Sequence, residues 1–98
     1  MAVVIKTLTV TVATAGTRVS LGNVDKALKV YLSAPAANTG LIFVGDVTVA
    51  AANGLQLVKA LPPIEISAPS SEFIDLSTIY VDAATNGDKV TVTYLQKV

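Results

Sequence analysis

The chain has no cysteine, no histidine and no tryptophan, and a single methionine. Without thiols there is no disulfide framework, no thiolate zinc site and no thiol nucleophile. Without imidazole the chain lacks the commonest general base and the commonest metal ligand. Aromatic residues are few: Phe43, Phe73, Tyr31, Tyr80 and Tyr94. Charge is scarce too, and the seven basic and seven acidic residues cancel. Affinity for a phosphate backbone comes largely from Lys and Arg, so direct nucleic-acid binding is not expected. No apolar run approaches the ~20 residues of a membrane-spanning helix, and no membrane partner is expected.

What remains is apolar. Hydrophobic residues make up 52% of 98 residues, which is rich for a free monomer and predicts that a partner covers part of the surface. The length is that of one domain, 1–98. Such a domain buries roughly two-thirds of its unfolded surface and needs no covalent staple. The start, "MAVVIKTLTVTVATAGT", has no charged segment ahead of its apolar part, and Lys6 interrupts the run. It reads as a strand, not as a signal peptide.

Period two dominates. From Val4 to Val12, Leu8, Val10 and Val12 alternate with Thr7, Thr9 and Thr11, the mark of a half-buried strand. Residues 13–17 read as a turn, 18–21 as a short strand and 22–25 as a turn. In 26–34, Leu28, Val30 and Leu32 oppose Lys29 and Tyr31, and Pro35 ends the strand. Residues 37–40 form a loop with Gly40 as a left-handed candidate. A strand follows at 41–44, broken by Gly45-Asp46, with 47–50 as its resumption. Residues 51–54, with Gly54, read as a loop or a single helical turn. Extended stretches are expected at 55–61 and 64–67 around Pro62-Pro63, then a loop at 68–72. The segment 73–82 holds a turn and the strand Thr78–Val81. The strand 88–95 sets Val90, Val92 and Tyr94 against Thr91, Thr93 and Leu95. Residues 78–95 are expected to form a hairpin, with Asn86-Gly87 supplying the positive φ angles of its connection.

About eight short strands at this spacing predict an all-β chain, a single-domain antiparallel β-sandwich of jelly-roll-like type. An immunoglobulin-type sandwich reads alike at this level. Leu76, Ile79, Val81, Val90 and Val92 are the expected core.

Reactive constellations are sparse. Glu72 and Asp75 are close enough to split acid and base roles, but serine-rich surroundings favour a solvated loop. Asp82, Asn86 and Asp88 offer oxygens to calcium in a spacing that matches no calcium loop, and "NGD" is ordinary turn chemistry. Ser20, Ser33, Ser67, Ser70, Ser71 and Ser77 have no histidine to activate them. The tyrosines suit a sugar-binding surface, although strand tyrosines are more often core or interface. No enzyme activity, cofactor or metal is expected.

The order "VYLSAPAANTGLIFVGD", "NGLQLVKALPPIEI", "LSTIYVDAATNGDKVTVTYL" resembles small structural proteins of tailed bacteriophages. The resemblance covers roughly residues 26–95. It rests on Asn38, Thr39, Gly40, Val44, Gly45, Gly54, Leu57, Leu76, Ile79, Tyr80, Val81, Gly87 and Asp88. It departs at Leu61-Pro62-Pro63-Ile64-Glu65, where the family often has a Pro-Gly-Glu turn, and the first 25 residues match nothing closely. What it implies is a capsid decoration, or cement, protein. Such a protein is made in the host cytoplasm and binds the outer surface of the mature head. There it clamps neighbouring major capsid subunits, commonly as a homotrimer. Partners are then a second copy and the major capsid protein. The alternatives are another phage part (head fibre base, neck or tail component) and a carbohydrate-binding module. On this reading residues 1–12 form an edge strand or arm that pairs with a neighbouring chain. The candidate interface residues are Val3, Val4, Ile5, Thr7, Thr9, Tyr31 and Tyr80. Gly40, Gly45, Gly54, Asn86 and Gly87 are the structural turn residues.

Overall fold

The computed structural model describes residues 2–24, 26–51, 53–68 and 72–97. Parts of four expected segments lie outside the described residues: Met1 of the N-terminal strand, Asp25, Ala52, and Pro69 to Ser71. The strands are β1 (Val3–Thr11), β2 (Val19–Ser20), β3 (Ala27–Ser33), β4 (Ile42–Gly45), β5 (Leu55–Leu57), β6 (Ile64–Ser67), β7 (Tyr80–Ala83) and β8 (Lys89–Lys97). A 3₁₀ turn, Leu76–Thr78, precedes β7.

Valine, isoleucine and threonine at alternating positions suit a pleated surface with one face buried. Two four-stranded sheets result, ordered β1-β8-β3-β6 and β2-β7-β4-β5. All their pairings are antiparallel. The first strand pairs with the last, the second with the seventh, the third with the sixth and the fourth with the fifth. That nesting is one long ribbon folded on itself, a jelly roll. An immunoglobulin-type sandwich instead pairs its first two strands.

The core lies between the sheets. Val10, Val30, Leu32, Val90, Val92 and Tyr94 from the first sheet meet Ile42, Val44, Leu57, Val81 and Ala83 from the second. Val12, just past β1, and Leu76 on the 3₁₀ turn complete it. Four of the five expected core residues are fully buried, and Ile79 packs against them half-exposed. Asp75 caps the 3₁₀ turn by accepting the Ser77 N–H at 2.9 Å. The Leu76 N–H donates to the Val24 carbonyl at 2.6 Å. Leu76 therefore enters the core on a short, doubly anchored turn.

Several boundaries differ from the sequence expectation. The alternation of β3 is broken by a bulge between Ala27 and Lys29. Leu28 becomes the extra residue and is only half-buried, while Ala27 turns inward. Ala27 then exchanges two backbone hydrogen bonds with Ile74. Residues 47–50 do not resume β4. Asp46 accepts the Thr48 N–H at 2.8 Å and its hydroxyl at 2.5 Å, which turns the chain. The stretch 55–61 is a strand only to Leu57, because Ala60 adopts φ 62° in a left-handed turn. Its N–H bonds the Ala34 carbonyl at 3.1 Å. The strand expected at 78–81 begins two residues later, after the 3₁₀ turn. The hairpin expected over 78–95 does not form, because the connection crosses between the sheets and β8 pairs with β1 and β3 instead.

Antiparallel connectivity sends the loops to two ends. Residues 12–18, 34–41, 58–63 and 84–88 gather at one end. Residues 21–24, 46–51, 53–54 and 72–79 gather at the other, with the start of β1 and the finish of β8. The edge strands are β1 and β6 in one sheet and β2 and β5 in the other. Truncating Leu76 to Ala removes a fully buried side chain. It should cost about 2–5 kcal/mol in a urea unfolding titration; a loss below ~0.5 kcal/mol is incompatible with such burial.

Candidate functional surface

The first end is knitted by polar side chains. Asp88, buried at the base of the β7–β8 connection, accepts backbone N–H groups of Thr39 (3.0 Å) and Gly40 (2.8 Å), one on each carboxylate oxygen. Asn38 clasps the neighbouring residue in both directions. Its Nδ2 donates to the Lys89 carbonyl at 2.7 Å, and its Oδ1 accepts the Lys89 N–H at 2.9 Å. Asp82 Oδ1 accepts from Gly16 (2.9 Å) and Ala83 (2.7 Å), and Asn86 Oδ1 from Ala15 (2.7 Å). Two loops, 12–18 and 34–41, are thereby tied to β7 and the β7–β8 connection. Asn38, Asp82, Asn86 and Asp88 thus supply partners that buried or turn-bound backbone groups require.

This changes the reading of several turn residues. Gly40 is not left-handed, since the positive-φ glycines are Gly16, Gly22 and Gly87. Gly40 is required by space: a Cβ there would lie 2.9 Å from Thr85 Oγ1 and 3.3 Å from Ala84 Cβ. Asn86 does not share the positive φ of Gly87 (83°) either. It is held by its side-chain bond to Ala15. Gly45 and Gly54 make room for one residue, Val49. A Cβ would come within 3.0 Å of Val49 Cγ2 at Gly45 and 2.8 Å at Gly54.

The reactive constellations do not assemble. Glu72 is exposed, while Asp75 is spent on the Ser77 N–H and hydroxyl. Ser20 donates to the Ser77 carbonyl, and Ser67 to Glu65 Oε2 at 2.7 Å. Ser70 and Ser71 lie outside the described residues. Among the described residues no group of three His, Cys, Asp or Glu side chains could hold a metal ion. The three tyrosines are dispersed: Tyr94 is in the core, Tyr31 faces outward from the first sheet, and Tyr80 lies in the second. The acidic side chains with displaced titration are surface groups. Hydrogen bonds from the Thr48 hydroxyl and N–H hold Asp46 below the usual carboxylate range. The Ser67 hydroxyl, helped by the Lys29 charge, does the same for Glu65.

The sheets differ in what covers their outer faces. On the second sheet Phe43 points away from the core yet is only 4% exposed, and Val49 above it is 1% exposed. Neither belongs to the main core cluster. The 46–54 loop folds over this face as a small second apolar layer, and the Gly16 contact covers Asp82 beside it. The outer face of the first sheet is open. Its rows run Ile5–Leu95–Lys29–Ser67 and Thr7–Thr93–Tyr31–Glu65, followed by Thr9–Thr91–Ser33. Its ion pair is Lys29–Glu65, long at 3.9 Å and exposed, and worth little.

Of the candidate interface residues, Val3, Ile5, Thr7 and Thr9 lie together on this open face. Tyr31 joins them across Thr93. Val4 points to the inner side and is half-buried, and Tyr80 belongs to the other sheet. Exposed apolar side chains missed by the sequence reading are Val47, Leu55, Val58, Leu61 and Phe73. Leu55 is 62% exposed although it pairs with buried Val44 and so points the same way. Alternation alone assigns such a residue to the core; its place on an edge strand leaves it open.

Comparison with protein-family models, curated proteins and solved structures returned no match.

Asp88→Asn would set an amide donor against one of two backbone donors. It should cost about 1–3 kcal/mol in chemical unfolding, with little change in far-UV circular dichroism. Gly54→Ala should cost about 1–3 kcal/mol by overpacking. Because the clash falls partly on Val49, adding Val49→Ala should cost less in the Gly54→Ala background than in the native chain, in a double-mutant cycle.

Proposed function

We propose that this chain is a capsid decoration protein that binds the outer surface of a mature phage head and clamps neighbouring capsid subunits. The observation that carries the reading is the ordered resemblance across residues 26–95, from Asn38-Thr39-Gly40 to Gly87-Asp88. The architecture is compatible with that role. A clamp needs stiffness, and a jelly roll with one end knitted by hydrogen bonds supplies it. It also needs contact surface. The open outer face of the first sheet and the nine-residue edge β1 offer mostly uncharged side chains and unpaired backbone groups. Nothing in the clamp requires a nucleophile, a metal or a cofactor.

The test mixes the purified protein with expanded, undecorated heads of the cognate major capsid protein. Saturable, stoichiometric binding and a higher melting temperature of the heads are expected. Deleting residues 1–8 should reduce binding at least tenfold. An oligomer that ignores heads would transfer the chain to a fibre base, neck or tail. A monomer that ignores heads and is retained on a glycan array would make it a saccharide-binding module.

A further inference from the structure

The four edge strands are not equivalent. β2 has two residues and β5 three. β6 has four and follows Pro62-Pro63. β1 has nine residues in continuous register with β8, without bulge or proline. Long, regular edges seek another strand, and β1 is the long edge here.

Strand direction restricts what can be added. β1, β8, β3 and β6 alternate in direction, so β1 runs antiparallel to β6; by the same count β2 runs antiparallel to β5. A copy generated by rotation about an axis parallel to the strands keeps every direction. It brings its β1 antiparallel to β6, and its β2 antiparallel to β5. Strand directions then match at the edges of both sheets across one seam.

Each flank also has inward-facing apolar residues that the monomer leaves open. On one flank these are Val4, Leu8 and Val19, and on the other Leu55, Ile64 and Ile66. Apposing the flanks removes both sets from water.

A two-fold pairing of β1 with β1 is opposed by Lys6. Its side chain lies on the inner side of β1, in the row Lys6–Tyr94–Val30–Ile66. Centring β1 on its own copy at Thr7, its midpoint, brings two such lysines to diagonal positions on one face, and like charges so placed repel. An inward-pointing charge is a known guard against self-pairing of edges. Beside Ile66 of a neighbour, Lys6 meets no like charge.

We propose that a second copy of this chain occupies the β5/β6 flank through its β1/β2 flank, β1 adding antiparallel to β6, so that copies close head to tail into a ring. The pairing deepens the self-association in the proposed function and is independent of capsid binding. Head-to-tail contacts close when the rotation returns on itself.

The chain has no native cysteine, which permits a direct test in the full-length protein. Thr7 and Glu65 are exposed ends of one row, and Ile5 and Ser67 of the next. Native mass spectrometry should give a closed oligomer of three or more copies. Under mild oxidation the T7C/E65C or I5C/S67C double variant should form a ladder of intermolecular disulfides ending at that oligomer. T7C, E65C, I5C and S67C alone should not cross-link. A monomer, a dimer linked by T7C alone, or a ring that neither double variant cross-links would overturn the proposal. A cross-linked ring that ignores heads would remove the decoration role and leave the flank pairing standing. A monomer that binds heads would do the reverse.

Discussion

The Asp88 carboxylate, between the Thr39 and Gly40 amides, is the contact on which the arrangement of this jelly roll depends. The partners are 49 and 48 residues apart in sequence. Folding the ribbon brings the β3–β4 connection, which crosses between the sheets, beside the β7–β8 connection, which crosses between them too. Both segments are loops and carry backbone amides with no ladder to join. A buried amide without a partner is expensive, and a carboxylate supplies two strong acceptors at once. Asn38 adds a two-way bond to Lys89 at the same junction. The closure of a long loop is thereby offset by four hydrogen bonds on consecutive residues, which also fix where the first sheet ends and the second begins.

The remaining structure is asymmetric about that junction. The second sheet is covered on both faces at Phe43, because Val49 packs down where Gly45 and Gly54 leave room over it. The first sheet has only one buried face. Its other face presents threonines in register on β1 and β8, with Tyr31 on the neighbouring strand. Threonine pairs stabilise neighbouring strands and leave hydroxyls and methyls outward without charge. The apolar excess of the composition is thus not spread evenly. Val3, Ile5, Val47, Leu55 and Phe73 are exposed at the end opposite the Asp88 junction, and Val58 and Leu61 at the junction end.

Period-two alternation made most strands legible, because in β7 and β8 one face is wholly or largely core and in β1 Leu8 and Val10 face it. Leu76, Val81, Val90 and Val92 were readable as core for the same reason. Reading failed where an element is specified by something other than period. Residues 47–50 alternate like a strand, yet the Asp46–Thr48 bonds turn the chain and Val49 plugs a gap formed by two distant glycines. Leu28 has the right phase in β3, but the bulge that admits the Ala27–Ile74 bridge removes it from the inward set. Gly40 and Asn86 carry turn-forming residue types, and both act through distant partners, Thr85 and Ala15. The Asp88 junction was visible only as two short motifs, "NTG" and "NGD", about fifty residues apart. Local spacing contains no term that joins them.

That junction also bears on what the phage-like pattern encodes. Nearly every residue that carries it has a structural task here. Asn38, Thr39, Gly40 and Asp88 form the clasp, Gly45 and Gly54 accommodate Val49, and Leu57, Leu76 and Val81 are core. A pattern of this kind specifies a scaffold, and partner choice must be written elsewhere on the chain. The first 25 residues lie outside the pattern, and they contain β1 and β2. The jelly roll places these two strands on the same flank, one at the edge of each sheet. The part of the sequence least bound to the pattern is therefore gathered along a single side of the sandwich. In the proposed pairing, substitutions in β1 would retune what that side meets while the Asp88 junction, at the far end of the strand, holds the fold unchanged.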